Sequence, residues 1–419
     1  MKWIILLFMF FGIIINYADK SIIGYAAEPI MKEFHLTYTQ WGLVGSSFFW
    51  LFIFAGVIGG AWSDRIGTKK TLTILLFLWT ILQFGVLAIS GLPLLILYRV
   101  LLGAGEGPHG PVSMSQISRW FPPQSRGFAI AIFNGGAVVG ALLFAPLFVK
   151  MITNLGWRGA IASLGILSII WVVLWMLLGK ENPATVNWNE PIITQSKVKW
   201  SEASPIIFSR TCLLSLFVGF SAFGLLVWVS LFQPLYFGQV LGFTKQQIGL
   251  ASAGIGIGGL IISILLSRFS DRLFIKNQKY YGSRVLFSGV CLLIAGVCYL
   301  TSILSQSNLL TLLAFTISGG CATTVAAMVP QIMMKLFPTR RGFGVSLGTS
   351  FQNIAGIVGP IVCGALISLA GTNKVLGFHY ALFYTAGLML IAGLLFILFC
   401  RPDKATVEAG QPNDNSVSI

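Results

Sequence analysis

A short, basic loop that contains glycines lies between two long apolar segments near the start of the chain. It reads Gly60-Ala61-Trp62-Ser63-Asp64-Arg65-Ile66-Gly67-Thr68-Lys69-Lys70. The segments on either side, roughly 39–62 and 71–90, are each long enough to cross a bilayer as a helix, which takes about 20 mainly apolar residues. Lys and Arg collect in cytoplasmic loops, so the pattern is typical of the cytoplasmic side of a membrane protein.

The composition extends this interpretation to the whole chain. Of 419 residues, 56% are hydrophobic and only 9% are charged, against about 25% charged in ordinary globular proteins. With a mean hydropathy of +0.86, these values exclude a soluble multidomain protein, a disordered chain, a collagen and a disulfide scaffold. The formal charge of +15 could indicate nucleic-acid binding, but basic cytoplasmic loops explain it better, and we expect a lipid bilayer and no nucleic acid as partner.

Twelve apolar segments predict an all-α polytopic fold. The initial Met1-Lys2 and apolar run resemble a signal peptide, but the run continues past Asp19 without a convincing cleavage site, so we interpret it as a retained first span. The predicted spans are roughly 4–30, 39–62, 71–90, 93–117, 127–150, 156–179, 208–237, 246–267, 284–305, 308–334, 342–370 and 376–400.

The distribution of positive charge predicts the orientation. Two of the 27 Lys and Arg residues, Lys20 and Arg99, lie within predicted spans. Of the other 25, the loops on one side hold five, and the loops and both termini on the other side hold 20. The positive-inside rule therefore predicts that both termini are cytoplasmic, and we expect a multi-pass protein of the plasma membrane. The five residues predicted to be external are Lys32, Lys150, Arg158, Lys245 and Lys374.

The chain divides into two halves that repeat each other. Ser63-Asp64-Arg65 after the second span recurs as Ser270-Asp271-Arg272 after the eighth. The sequence predicts an N-terminal six-helix bundle over 1–180, a cytoplasmic linker over 181–207, a C-terminal bundle over 208–400 and a tail over 401–419. Parallel six-span halves with a substrate site between them are a transporter architecture.

The loop quoted first fits the pattern G-x-x-x-D-R-x-G-x-K-K. It resembles the signature between the second and third spans of the major facilitator superfamily. The resemblance implies a gating role for the motif, in which the acidic residue caps a neighbouring helix and pairs with an Arg across the cytoplasmic face. A simple positive-inside loop would explain the lysines but not the aspartate or the glycines. The motif residues are Gly60, Asp64, Arg65, Gly67, Lys69 and Lys70.

Further segments narrow the resemblance. They are Asn16-Tyr17-Ala18-Asp19-Lys20-Ser21, Tyr98-Arg99, Gly105-Glu106-Gly107-Pro108, Pro111 and Trp120-Phe121-Pro122. Together they resemble the anion:cation symporter family, which includes bacterial sugar-acid transporters and animal sialic-acid and glutamate carriers. The resemblance implies that Tyr17 lines the substrate cavity. Lys20 stands where that family usually has Arg, which keeps the charge but loses bidentate geometry.

Four ionisable residues fall within predicted spans, where a charge costs several kcal/mol and marks a functional candidate. They are Asp19, Lys20, Arg99 and Glu106. Arg99 and Glu106 are seven residues apart and share one helix face, about 10 Å apart, whereas neighbouring Asp19 and Lys20 diverge by about 100°. Fully ionised, the set is neutral, and protonating both carboxylates makes it +2. We expect the carboxylates to couple protons and the cations to bind an anion; fixed ion pairs between spans are the alternative.

Two polar residues are weaker candidates. His109 follows Glu106 by three residues and could tune it or relay a proton, or it could be a satisfied polar histidine near the end of a span. Asn353, in the eleventh span, could bind sugar hydroxyls or form a hydrogen bond between helices.

The sequence therefore predicts a proton-coupled symporter for a small organic anion, most simply a sugar acid. An anion exchanger or a facilitator on the same fold stays open as the rival. A membrane enzyme is disfavoured, since neither H-E-x-x-H nor G-x-S-x-G occurs, and a sensor is disfavoured by the short tail. We expect no cofactor, no metal and a monomer.

Overall fold

The computed structural model describes residues 1–181 and 200–403, and these ranges consist of helices and connecting turns without a β-strand. The predicted all-α fold is confirmed. Residues 182–199 of the predicted linker and residues 404–419 of the predicted tail lie outside the described residues.

Sixteen helices follow one another in the described ranges. They are α1 (Lys2–Tyr25), α2 (Ala27–Glu33), α3 (Tyr38–Ile66), α4 (Thr68–Gly85), α5 (Leu92–Glu106), α6 (His109–Trp120), α7 (Pro123–Val138), α8 (Ala145–Leu178), α9 (Trp200–Ile207), α10 (Arg210–Leu231), α11 (Gln233–Gln239), α12 (Lys245–Asn277), α13 (Phe287–Leu304), α14 (Asn308–Leu336), α15 (Arg341–Leu369) and α16 (Lys374–Phe399). A π-helical turn, Val139–Leu143, continues α7, and another, Tyr281–Leu286, precedes α13.

Eleven helical segments of the described chain are long and apolar enough to cross a membrane. The predicted fourth span, 93–117, is the exception, because it is divided between α5 and α6. The break falls at Gly107 and Pro108. Proline has no N–H to donate and its ring clashes with the preceding turn, which accounts for the interruption within the predicted span.

The fifth and sixth predicted spans meet at a glycine. Helix α8 begins at Ala145, before the predicted end of the fifth span, and runs to Leu178. Gly156 is the one residue of α8 with non-helical dihedral angles, with a φ of +71° that favours glycine. The direction of the chain therefore changes inside what is formally one helix.

The helices expose large apolar side chains and enclose their polar ones. Leu177 is 74% exposed and Ile58 is 67% exposed, whereas Arg99 and Glu106 are buried. This reverses the usual distribution in a water-soluble protein and fits helices whose outer faces contact lipid.

The described residues form two compact units. One contains 1–181, 228–254 and 357–378, and the other contains 200–227, 255–356 and 379–403. In the first unit α3 and α5 approach so closely that a Cβ on Gly103 would lie 1.8 Å from the carbonyl oxygen of Phe48. In the second, α13 packs on α16, where a Cβ on Gly289 would lie 2.4 Å from Cγ1 of Ile397. The predicted division into six-helix bundles stays a prediction.

Candidate functional site

The four ionisable residues expected within spans lie in the first unit, on α1 and α5. Asp19, Arg99 and Glu106 are each no more than 3% exposed, and the side chain of Lys20 is 17% exposed. Adjacent positions on a helix diverge by about 100°, and Asp19 and Lys20 accordingly find different partners. Lys20 points to α5 and Asp19 points to α4.

An amide links the cation of α1 to the carboxylate of α5. Lys20 Nζ donates to Asn16 Oδ1 at 2.6 Å, and Asn16 Nδ2 donates to Glu106 Oε2 at 3.0 Å. Lys20 Nζ also lies 3.8 Å from the same Glu106 oxygen. Asn16 and Lys20 are four residues apart and so share one face of α1. The second Glu106 oxygen, Oε1, has no hydrogen-bond partner in the described part of the chain.

Aromatic rings surround the two cations. Lys20 Nζ lies 4.6 Å from the centroid of the Tyr17 ring and 4.7 Å from that of Phe52. Arg99 Cζ lies 4.6 Å from the centroid of Phe48, and Lys20 Nζ is 5.6 Å from the same ring. The ring faces attract the cations, so Phe48 stands between the two positive groups of the site.

Glycines bring those rings to the site. A Cβ on Gly107 would lie 2.2 Å from the carbonyl oxygen of Phe52, and Gly103 is similarly close to Phe48. Only glycine permits this approach of α3 to α5, which carries Arg99 and Glu106. Gly103 and Gly107 therefore allow the site to form, and Gly107 also lies at the break in the helix.

Asp19 has partners on α4 that sequence analysis missed. Its Oδ2 accepts hydrogen bonds from Trp79 Nε1, at 2.5 Å, and from Gln83 Nε2. Trp79 and Gln83 are fully buried and lie one turn apart. The sequence signals for the partners of the charged residues were Gln83, a polar residue in an otherwise apolar span, and Asn16, which begins the segment around Tyr17.

His109 packs against Trp79, which donates a hydrogen bond to Asp19. Among the described residues, His109 shows no hydrogen bond or ring contact that involves Glu106. Its ring centroid is 5.9 Å from that of Trp79, and Nε2 lies 3.5 Å from Ser113 Oγ. A Cβ on Gly12 would lie 2.8 Å from His109 Nε2, so α1 packs directly on this ring. A tuning effect on Glu106 stays a prediction.

Asn353 belongs to the second unit, and it is half-buried in α15. Its Nδ2 donates to the carbonyl oxygen of Thr349 at 2.9 Å, one turn earlier in the same helix. The amide oxygen is left for another donor, and a role in binding substrate stays a prediction.

The gating motif is organised around a carboxylate that sequence analysis did not select. Glu181 Oε1 accepts from Thr68 N at 2.9 Å and Oε2 accepts from Lys69 N at 2.7 Å, which caps the N-terminus of α4. Arg119 Nη1 lies 2.9 Å from Glu181 Oε1. Gly67 has a φ of +93°, and a Cβ there would lie 3.0 Å from the Glu181 carboxylate.

Asp64, to which the motif assigns the capping role, is exposed and makes neither a hydrogen bond nor an ion pair among the residues that the structure describes. Gly60 accepts from Ser63 Oγ at 2.7 Å, and Lys69 Nζ reaches the carbonyl oxygen of Met176 at 3.4 Å. Arg65 and Lys70 are exposed. The gating role of the motif stays a prediction.

The second unit contains a related arrangement. Asp271, the counterpart of Asp64, pairs with Arg284, with Nη2 and Oδ1 2.6 Å apart. The carboxylate of Asp403 accepts from Tyr280 N at 3.3 Å and from Tyr281 N at 3.0 Å. In each unit a carboxylate that follows a long helix thus accepts backbone N–H groups at the start of another helix.

No group of three or more His, Cys, Asp and Glu side chains suited to a metal ion occurs in the described ranges. The buried polar groups of the first unit are instead carboxylates, cations and amides facing one another. Such a set can bind an anion and exchange a proton.

Comparison with known proteins places the chain in a family. The model of the Major Facilitator Superfamily matches residues 9–283 and 277–417. The hexuronate transporter of Bacillus subtilis (strain 168) is 27% identical over 99% of this chain and 98% of its own length. A probable galactarate/D-glucarate transporter of Escherichia coli (strain K12) is 25% identical, covering 95% and 94%.

The fold has solved counterparts. The crystal structure of a bacterial homologue of the human lysosomal transporter Spinster, inward-facing and unoccupied, gives a TM-score of 0.78 at 19% identity, covering 97% of this chain and 98% of that one. The match to the family model, together with the transporter relatives, identifies the protein as a polytopic membrane transporter and not an enzyme. It belongs to the Major Facilitator Superfamily, and its hexuronate and galactarate/D-glucarate transporter relatives are consistent with the resemblance to the anion:cation symporter family.

Proposed function

We propose that this protein is a proton-coupled symporter that carries a small organic anion of the sugar-acid class by alternating access. The observation that supports it most is the buried link Lys20–Asn16–Glu106, which holds a cation and a carboxylate to one amide in the first unit. An ionisable group in a span is costly, so its presence there marks a functional candidate.

The two cations are the anion-binding groups of this proposal, with Tyr17 beside Lys20. Arg99 makes no ion pair within 4.0 Å among the described residues, and its Nε has no hydrogen-bond partner there. A guanidinium whose donors are not committed to a protein carboxylate can donate two hydrogen bonds to a substrate carboxylate. Lys20 would add a point charge from the other side of Phe48.

In this proposal, proton uptake is coupled to anion binding because Glu106 lies beside Lys20. Removal from water favours the neutral form of a carboxyl group, whereas a nearby cation favours its anion. When a substrate anion engages Lys20, the ammonium is drawn away from Glu106, and Glu106 then takes a proton. Release of the anion and of the proton restores the original pair. Asp19 belongs to the same charged set.

The substrate class rests on the relatives. Hexuronate and galactarate or D-glucarate are named as substrates of those proteins, and all of these are hydroxylated carboxylates. For this chain we propose a sugar acid whose carboxylate meets Arg99 and whose hydroxyl groups meet Tyr17. Asn353 of the second unit is proposed separately as a residue that binds sugar hydroxyl groups.

Orientation and organisation complete the proposal. Both termini face the cytoplasm, the halves 1–180 and 208–400 act as two bundles in a monomer, and the motif from Gly60 to Lys70 gates the cytoplasmic side. Cysteine labelling in a variant without native cysteines should find positions 69 and 276 reactive only from the cytoplasm and position 245 only from outside. The opposite pattern would overturn the orientation.

The experiment on function is uptake by purified protein in proteoliposomes, after a thermal-shift screen of sugar acids, since a ligand of the native state raises its melting temperature. An inward proton gradient should drive accumulation of D-glucuronate, the first probe. Glu106→Gln should exchange D-glucuronate but not accumulate it. Equal accumulation by Glu106→Gln and wild type would remove Glu106 as proton carrier, and gradient-independent uptake would favour an exchanger.

A further inference from the structure

The two buried carboxylates of the site are held by different kinds of partner. Asp19 Oδ2 accepts two N–H groups, from the indole of Trp79 and the amide of Gln83. Glu106 Oε2 accepts one, from the amide of Asn16. Each carboxylate keeps one oxygen without a partner in the described part of the chain, so the difference between them lies in the donors on the other oxygen.

The two groups that donate hydrogen bonds to Asp19 cannot act as acceptors. An indole nitrogen only donates, and so does an amide nitrogen. Two N–H groups directed at one oxygen stabilise the carboxylate over the carboxylic acid, and hydrogen bonds to an ionised acceptor are about twice as strong as neutral ones. Trp79 and Gln83 are both 0% exposed, so water does not compete for these hydrogen bonds.

Burial disfavours the charged form of Asp19, and the cations around it act against that effect, as the two hydrogen bonds do. The cations that act on it are Arg99 of α5 and Lys20 of α1. The other titratable groups near it are Tyr98 and Glu106 of α5. On α6, His109 lies beyond Trp79, against its ring. The same two cations act on Glu106, but the one that lies within 4 Å of it, Lys20, is the most accessible charge of the four.

We infer that Asp19 stays ionised throughout the transport cycle, held by Trp79 and Gln83 as positioning residues, and that Glu106 alone carries the exchangeable proton. This inference rests on the proposed symport and deepens it. The site then alternates between a net charge of zero, with Glu106 ionised, and +1, with Glu106 protonated. One proton from the aqueous phase enters with each substrate molecule and leaves with it.

This inference predicts that one proton is transported with each substrate molecule, whereas protonation of both carboxylates predicts two. A monoanion such as D-glucuronate is carried with one proton, without net charge movement. A dianion such as galactarate is carried with the same single proton and moves one negative charge. The ratio of proton to substrate flux in proteoliposomes should be one for D-glucuronate, and a ratio of two would overturn the inference.

A second measurement needs no substrate, so it separates this inference from the proposed function. The carbonyl stretch of protonated carboxyl groups is followed by infrared difference spectroscopy while the pH of the purified protein is changed. Wild type should show one titrating buried carboxyl, absent in Glu106→Gln and retained in Asp19→Asn. A band that disappears in Asp19→Asn, or no titrating band at all, would overturn the inference.

The positioning residues are tested in the same way. Gln83→Met and Trp79→Phe each remove one donor and keep most of the side-chain volume. Each should add a second titrating carboxyl, which Asp19→Asn then abolishes, and should move the proton-to-substrate ratio from one towards two. Thr80→Val on the same helix is the control, because Thr80 donates to Leu76 and not to Asp19. If either variant titrates like Thr80→Val, that residue does not hold Asp19 ionised.

Discussion

The side-chain amide of Asn16 donates a hydrogen bond to the carboxylate of Glu106, with Nδ2 and Oε2 3.0 Å apart, and the two residues are 90 positions apart in the sequence. The same amide accepts from Lys20 through its oxygen. Because a lysine ammonium only donates, this contact fixes which end of the amide faces Glu106. Asn16 therefore links the position of Lys20 to that of Glu106. A movement of Lys20 changes the hydrogen bond to Glu106, and a movement of Glu106 changes the one from Lys20.

Asn16→Leu should impair transport without unfolding the protein. Both hydrogen bonds are lost at groups that carry charge, where one bond contributes about 1.5–3 kcal/mol, so the initial rate of D-glucuronate uptake should fall at least about tenfold. Ser168→Ala is the control, since it removes a buried hydroxyl of α8 that bonds only within its helix. An uptake rate like that of Ser168→Ala would show that Asn16 is a packing residue.

Arg99 provides the second prediction. Arg99→Ala should abolish the thermal shift produced by a sugar acid, because the guanidinium is the buried cation without a protein carboxylate partner. Arg99→Lys keeps the charge but loses the two-pronged geometry, and should weaken binding at least about tenfold. A wild-type dissociation constant in Arg99→Ala would place the substrate elsewhere.

An ion pair between helices gives a prediction about pH. Arg158 Nη2 lies 2.8 Å from Glu33 Oε1, and this hydrogen bond lowers the pKa of Glu33 below its ordinary value. The folded state therefore binds this proton less tightly than the unfolded chain. The stabilisation is present above the unfolded-chain pKa of about 4.3 and is lost as the pH falls through the lower pKa of the folded state.

Glu33→Gln should accordingly melt below wild type at pH 7 by an amount that corresponds to less than about 1 kcal/mol, since both side chains are partly exposed. The difference should shrink on acidification to about pH 3. Glu28→Gln, an exposed acid of the same short helix, is the control. A difference that persists unchanged at acid pH would assign the effect to packing.

The sequence predicted the spans because hydropathy is a property of each segment by itself. The break at Gly107 and Pro108 is a local matter too, and the proline signals it, but the reason for the adjacent glycine is the backbone of Phe52 on another helix. That approach of α3 to α5 cannot be inferred from either segment alone.

The candidate site, too, could be predicted from the sequence only in part. Asp19, Lys20, Arg99 and Glu106 were recognised because charge is costly in a span. Their neutral partners Asn16, Trp79 and Gln83 carry no charge. The polarity of Asn16 and Gln83 is only a weak signal, since asparagine and glutamine in spans commonly serve packing between helices. Which carboxylate meets which donor depends on rotation and tilt of α1 against α4 and α5, and only the structure supplies these.

The last prediction separates a motif residue from a structural one on the cytoplasmic side of the proposed topology. Glu181 caps α4 through two backbone N–H groups and pairs with Arg119, whereas Asp64 is exposed. Loss of an N-cap costs about 0.5–2 kcal/mol, and exposed residues away from such features stay within about 0.5 kcal/mol. Glu181→Ala should therefore lower the melting temperature clearly, and Asp64→Ala should leave it close to that of wild type.

Transport supplies the other half of this test, because a gating residue need not stabilise the protein. If Asp64 gates, Asp64→Ala should slow D-glucuronate uptake while its melting temperature stays unchanged. Glu181→Gln keeps the shape of the cap and removes its charge, so it should fall between wild type and Glu181→Ala in stability, as the attraction of the α4 N-terminus for an anion requires. A larger loss of stability in Asp64→Ala than in Glu181→Ala would contradict the assignment of the cap.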